Sequence, residues 1–204
     1  MLAAIPNWYS PVGHLLGTTG VGIAALVLGV TFVKSPTWLE LFTIPIVFVF
    51  ANFYEWGVHK YVLHRRLPPF QVIYDRHTPE HHVVYVEGDM EIRSVREFRF
   101  VLIPAMGVLG ITLAAAPLAW LLAKLVSPNV GWLFLVTGSL YMVAYELTHL
   151  SYHLPSTSPL LRTKAFGALR EHHARHHDPR RMQRENFNVT IPLADWVLGT
   201  IAKK

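Results

Sequence analysis

Eleven of the 12 histidines in this chain fall into four short groups, and imidazole is a common ligand of transition metals. The groups occupy residues 59–64, 77–82, 149–153 and 172–177. The twelfth histidine, His14, stands alone near the N-terminus, where an isolated imidazole is typical of a headgroup or backbone partner. Cysteine is absent, so any metal site must be built from imidazole and oxygen ligands.

Helical spacing would bring several of these imidazoles together. Residues three or four apart share one face of a helix, with Cβ atoms roughly 5–6 Å apart. His149 and His153 have this spacing, and so do His173, His176 and His177. His172 has two open interpretations: a ligand through its i+4 relation to His176, or a group that orients a ligand or touches substrate.

The first two groups need a further local feature. His59 and His64 are five residues apart, which an α-helix would place off one face, so we expect a π-bulge or a helix end there. His77 and His81 have i, i+4 spacing, but Pro79 lies between them. A proline is favoured at the first position of a helix, so we expect a helix that starts near Pro79, with His77 on the incoming loop.

The histidines outnumber the ligands that one ion can use. The candidate metal ligands are His59, His64, His77, His81, His82, His149, His153, His172, His173, His176 and His177. About ten imidazoles exceed a single tetrahedral or octahedral set, whereas two ions with four or five ligands each fit the count. Imidazole suits iron, zinc, copper and nickel and does not choose among them. The His-Glu-x-x-His pattern is missing, which gives a metalloprotease no support.

Carboxylates border the same groups. Glu55, Glu146, Glu171 and Asp178 are candidates either for binding metal or for orienting an imidazole N–H. With so many imidazoles available as ligands, we favour the orienting role.

The elements that position these groups are apolar helices. Apolar residues make up 52% of the 204 residues and charged residues 15%, against about 25% charged in soluble domains. Uncharged or nearly uncharged stretches at residues 15–33, 36–54, 100–123 and 125–145 have about the length that crosses a bilayer. They predict an all-α membrane protein with four transmembrane helices and polar segments at 55–99 and 146–204.

The basic residues predict an orientation. Of 18 Lys and Arg, seven lie between residues 54 and 100 and nine follow residue 148, whereas Lys34 and Lys124 alone lie by the short links between spans. The positive-inside rule places both polar segments and both termini in the cytoplasm. The net charge of +5 suits anionic headgroups. A nucleic-acid partner is not expected, because the basic residues sit among histidines and beside membrane spans.

The histidine groups, in this order, resemble the fatty acid hydroxylase/sterol desaturase superfamily of integral-membrane di-iron oxygenases, and most closely its fatty acid 2-hydroxylase branch. The matching motifs are His59-x4-His64 after Glu55, His149-x3-His153, and His173-x2-His176-His177. The run at 186–200 is similar to the family's C-terminal ending and adds Asn186 and Asp195 as candidate orienting residues. The resemblance extends from about residue 54 to residue 200.

Two positions depart from the family pattern. Three residues, 78–80, precede the His81-His82 pair where the family usually has two, and Asn188 stands where the family usually has glycine.

The resemblance implies one domain over residues 1–204, with four transmembrane helices and a cytosolic helical cap that holds a histidine-rich dimetal site. It implies two iron ions, replaceable by zinc in purified protein, and hydroxylation of a lipid C–H bond, in a fatty acyl chain or related lipid, with O₂. Electrons would come from an external cytochrome b5- or ferredoxin-type donor with its reductase. The histidines would carry the metals, and no other catalytic residue is implied.

Other functions remain open from the sequence. A sterol desaturase or oxidase, or a carotenoid hydroxylase, would use the same chemistry. A membrane metal-binding or transport protein would also have spans and histidines. Transport needs ionisable residues inside the membrane, however, and the apolar cores lack them apart from Glu40 near one end. A bis-histidine haem protein would need only two or four histidines at span depth.

Overall fold

The computed structural model describes residues 5–203, and these residues are helical apart from turns, loops and one isolated bridge between Val86 and Asp89. Four helical stretches are long and apolar enough to cross a membrane: Pro11–Phe32, Trp38–Leu63, Val95–Leu125 and Pro128–Tyr152. The predicted all-α fold with four such spans is therefore confirmed.

The chain divides into two compact units. The apolar unit consists of residues 12–51 and 103–146, and the histidine unit consists of residues 52–102, 147–203 and the described residues before Val12. All eleven candidate histidine ligands belong to the histidine unit.

Several spans extend further along the chain than hydropathy predicts. Helix α1 covers Pro11–Phe32, α2 covers Trp38–Leu41 and α3 covers Thr43–Val58, which continues as a π-helix over His59–Leu63. Helix α8 covers Pro128–Tyr152. The hydropathy signal stops where the side chains turn polar, but backbone hydrogen bonding continues past that point.

The third span is interrupted. A 3₁₀ turn over Val95–Glu97 leads into α6, Phe98–Val101, and α7 begins again at Ala105 and ends at Leu125. Pro104 immediately precedes α7. The residue before a proline is disfavoured in the α region, which explains why the helix breaks here.

The remaining helices are short and belong to the histidine unit. They are α4 (Gln71–Arg76), a π-helix over His77–His81, α5 (His82–Val84), a 3₁₀ turn over Pro159–Arg162, α9 (Lys164–His176) and α10 (Leu193–Val197). The Thr163 hydroxyl caps α9 by accepting from the Phe166 N–H.

Within the apolar unit, small residues allow close helix packing. A Cβ added to Gly131 would lie 2.5 Å from the Ala119 carbonyl oxygen, so only glycine fits this contact between α7 and α8. Val47, Ala119 and Phe134 form a buried cluster nearby. Small residues at such contacts are typical of membrane helix pairs.

The two short links of the apolar unit meet each other. The Lys34 N–H donates to Asn129 Oδ1 at 2.8 Å, and Asn129 Nδ2 donates to the Lys34 carbonyl at 2.9 Å. Glu40 caps α2 by accepting from the Thr37 N–H at 2.7 Å, and it also accepts from Ser127 Oγ at 2.5 Å. Glu40, the acidic residue near the start of the second span, therefore caps α2 and bonds to the link between α7 and α8.

Candidate metal centre

Ten of the eleven candidate histidines form two buried sets of five. In each set the potential ligand atoms all lie within 4.8 Å of one another. Site A consists of His59, His64, His77, His82 and His176. Site B consists of His81, His149, His153, His173 and His177.

Two π-helical turns build most of site A. In a π-helix the backbone hydrogen bond joins residues five apart, as the His82 N–H does with the His77 carbonyl. The pairs His59/His64 and His77/His82 have this spacing, so the members of each pair face one side. The π-turn at His59–Leu63 is one of the two alternatives, a π-bulge or a helix end, that the spacing of His59 and His64 predicts.

The expected helix start at Pro79 is wrong. Helical structure is continuous from Gln71 to Val84, and His77 lies inside it rather than on an incoming loop. In an α-helix the Pro79 ring would clash with the carbonyl four residues earlier. Pro79 lies inside the π-helical turn His77–His81, whose hydrogen-bond spacing of five residues accommodates one residue more than an α-turn does.

Site B uses ordinary α-helical spacing. His149 and His153 are i, i+4 on α8, and His173 and His177 are i, i+4 at the end of α9. His81 completes the set. Helix α9 therefore supplies both sites, because His176 projects to site A.

The Nε2 atoms converge in each set. In site A, His77 Nε2 lies 3.0 Å from His59 Nε2 and 3.1 Å from His82 Nε2, and His64 Nε2 lies 2.9 Å from His176 Nε2. Two nitrogens that bind one ion at about 2.1 Å and at right angles are about 3.0 Å apart, so this spacing suits a shared ion.

Site B has the same geometry. His81 and His149 approach through Nε2 at 3.2 Å, and His173 and His177 at 3.1 Å. The Nε2 atom of His153 is buried and has no hydrogen-bond partner among the described atoms. A metal ion would use this otherwise unpaired nitrogen, so the residues present fit a metal in both sites.

Backbone carbonyls fix the tautomer of five imidazoles. Nδ1 of His59, His81, His153, His176 and His177 donates to the carbonyls of Phe187, Phe100, Met90, Glu185 and Tyr85 respectively. A carbonyl only accepts, so Nδ1 must carry the proton and Nε2 must present its lone pair. These carbonyls do the orienting that the sequence suggested for carboxylates.

A sixth imidazole is fixed by a hydroxyl. Thr78 Oγ1 donates its proton to the Leu63 carbonyl at 2.7 Å and therefore accepts from His64 Nδ1 at 3.1 Å. His64 thus also presents Nε2 to site A.

Burial keeps the imidazoles neutral. Outside the spans, burial lowers the pKa of seven imidazoles well below the ordinary value, and neighbouring imidazoles lower the pKa further. These imidazoles belong to His77, His81, His82, His153, His173, His176 and His177. The pKa of His64 falls to about 2 for the same reasons. Neutral imidazole is the form that binds metal.

Glu55 and Asp195 contact a backbone segment next to site A. Glu55 accepts from the N–H groups of Val189 and Thr190, the latter at 3.1 Å. Asp195 accepts from the Phe187 N–H at 3.0 Å and the Asn188 N–H at 2.7 Å.

His172 lies outside both sets, and its Nε2 is 3.1 Å from Asp195 Oδ2. Asn186 donates through Nδ2 to the His172 carbonyl at 2.8 Å. Burial alone would raise the pKa of Asp195, but hydrogen bonds from His172, Thr200 and the backbone hold it below its usual range.

The other carboxylates have partners away from the imidazoles. Asp178 binds Arg180 Nη2 at 2.9 Å, and Glu171 pairs with Arg175. Glu146 belongs to the apolar unit and accepts from the Ile103 N–H at 2.9 Å.

Similarity to known proteins covers most of the chain. The fatty acid hydroxylase family model matches residues 44–200. A solved structure described as full-length scs7p, with only its hydroxylase domain visible, superposes with a TM-score of 0.61 at 19% identity. The match covers 92% of this chain and 65% of that one, just under two thirds of its length. A search of curated proteins found none that matches. The family match spans all four histidine groups and both sites, and the chain therefore belongs to the fatty acid hydroxylase family.

Proposed function

We propose that this protein hydroxylates a C–H bond of a lipid, a fatty acyl chain or a related lipid, using O₂ and two bound iron ions. Family membership supports a lipid-acting hydroxylase that is embedded in a membrane. The observation that carries the metal part of the proposal is the division of ten buried histidines into two sets of five.

Site A and site B would each hold one ion through Nε2 atoms, and His172 would bind neither ion. Bound iron would supply the O₂ chemistry that amino-acid side chains lack. The chain's own residues present neutral imidazoles in a fixed tautomer and exclude water, since His59, His81, His153, His173, His176 and His177 are at most 1% exposed. Electrons would come from an external cytochrome b5- or ferredoxin-type donor with its reductase.

Lipid analysis is the direct test of the function. Cells that express the chain should contain a hydroxylated lipid that is missing from matched cells without it. An unchanged lipid profile under aerobic growth, with the protein present in membranes, would contradict the proposed activity.

The metal content tests the two sites. Protein purified without chelator should contain close to two metal equivalents per chain, because each set of five can hold one ion. Elemental analysis of the purified protein gives the number. Zinc in place of iron is compatible with the sites, since zinc also takes imidazole ligands. Zero or one equivalent would contradict the two-ion proposal.

The membrane orientation has its own test. We propose that both histidine segments face the cytoplasm, because they carry 16 of the 18 Lys and Arg. Reporter tags near Glu87 and at Lys203 should be cytoplasmic, while tags at Lys34 and Asn129 should be on the opposite side. If Glu87 and Lys203 were on opposite sides, the proposed centre could not form.

A further inference from the structure

Four consecutive backbone N–H groups, at residues 187–190, all donate to two buried carboxylates. The first two donate to Asp195 and the last two to Glu55. Asp195 is 0% exposed and Glu55 is 8% exposed. Such a segment has few alternative positions, because every donor is already bonded inside the protein.

Each carboxylate is also bonded on its other side. Asp195 accepts from Thr200 Oγ1 at 2.6 Å and lies 3.1 Å from His172 Nε2, so both of its oxygens carry two contacts. Glu55 accepts from Thr190 Oγ1 at 2.6 Å. An ionised carboxylate offers only acceptors, so His172 Nε2 donates to Asp195.

This segment and the residues just before it present two carbonyls to site A. The Phe187 carbonyl accepts from His59 Nδ1, and the Glu185 carbonyl accepts from His176 Nδ1 at 2.8 Å. The carbonyls that accept from site B imidazoles belong to Tyr85, Met90 and Phe100, which lie elsewhere in the chain.

We infer that Glu55 and Asp195 are positioning residues for site A alone, acting through the backbone of residues 185–190 on His59 and His176. The inference rests on the proposed function because it needs metal bound in both sites. Groups that orient a metal-binding histidine typically contribute about 10–100-fold to metal affinity. The two carboxylates would act indirectly, because they bond N–H groups of residues 187–190, whereas the carbonyls of Phe187 and Glu185 contact the imidazoles.

The test uses two background variants, each of which keeps only one of the two metal sites intact. His149→Ala removes a site B ligand, so the remaining zinc reports on site A, and His176→Ala does the reverse. Zinc affinity of the purified full chain is measured against a chelator of known affinity. In the His149→Ala background, Asp195→Asn and Glu55→Gln should weaken zinc about 10–100-fold. The new amide would place an NH₂ where an oxygen now accepts. In the His176→Ala background both changes should leave zinc affinity unchanged.

Glu97→Gln is the matched control. Glu97 is a buried carboxylate of the same unit, 2% exposed, which accepts from Tyr85 Oη at 3.1 Å. It has no bond to residues 185–190 among the described contacts. In the His149→Ala background it should therefore leave site A affinity unchanged.

Two smaller substitutions at Thr190 test the same inference in case the carboxylate variants do not fold. Thr190→Val removes the hydroxyl that donates to Glu55, and Thr190→Ser keeps it. Valine should weaken zinc in site A and serine should restore it.

Equal weakening in both backgrounds, or no weakening in the His149→Ala background, would overturn the inference while leaving the proposed function standing. If the carboxylate variants do not fold, the Thr190 pair decides in the same way. A wild-type chain that takes up no zinc would instead overturn the metal-binding proposal itself.

Discussion

Alanine at His176 or at His149 is expected to abolish lipid hydroxylation, with product falling by more than about 100-fold. His176 belongs to site A and His149 to site B, and each lies in a fully packed set of five imidazoles. Removing one imidazole leaves an open coordination position and breaks the arrangement of the four that remain. Lipid analysis of expressing cells measures the product, and metal analysis should give one equivalent in place of two.

Three other histidines make this prediction specific. His14→Ala should retain activity and both ions, because His14 belongs to the apolar unit and to neither site. His77→Ala should lose the site A ion, whereas His172→Ala should keep two ions. Full activity in both His149→Ala and His176→Ala would contradict the oxygenase proposal and favour a metal-binding or transport role.

Acid should remove both ions and unfold the histidine unit. The pKa values of the buried imidazoles outside the spans are lowered by burial and by neighbouring imidazoles, so these groups stay neutral in the folded chain. In the unfolded chain they take up protons below about pH 6.5. Stability is therefore complete above that pH and is lost as the pH falls below it.

The expected size of this effect is large. Each such histidine costs about 1.4 kcal/mol of unfolding free energy per pH unit below its unfolded pKa. Several acting together would consume a total stability of about 5–15 kcal/mol within one or two pH units. Metal content and helical circular dichroism, followed from pH 8 to pH 4, should both fall near about pH 5. Retention of both ions at pH 4 would argue against imidazole ligation.

The histidine groups and the apolar spans could be predicted from the sequence because both are local properties. Ligand spacing along a helix and the length of an apolar stretch depend on neighbours only a few residues away. The pairs His149/His153 and His173/His177 follow directly from such spacing. The predicted helix start at Pro79 was wrong because residues 77–81 form a π-helical turn, which neither residue types nor α-helical spacing indicates.

The division of the histidines between two sites required the tertiary structure. His176 and His177 are adjacent in sequence yet belong to different sites, and His81 and His82 are divided in the same way. Neighbouring side chains on a helix point in directions about 100° apart, so helical spacing alone indicates which residues share a face but not which other helix they meet. The hydrogen-bond partners of the imidazoles could not be predicted from the sequence either. Five of these partners are backbone carbonyls, and every residue type has a backbone carbonyl. The sequence alone therefore predicted the kind of ligand and the helices that carry the histidines. The packing of distant segments sets which five imidazoles form each set and which backbone carbonyls accept from their Nδ1 atoms.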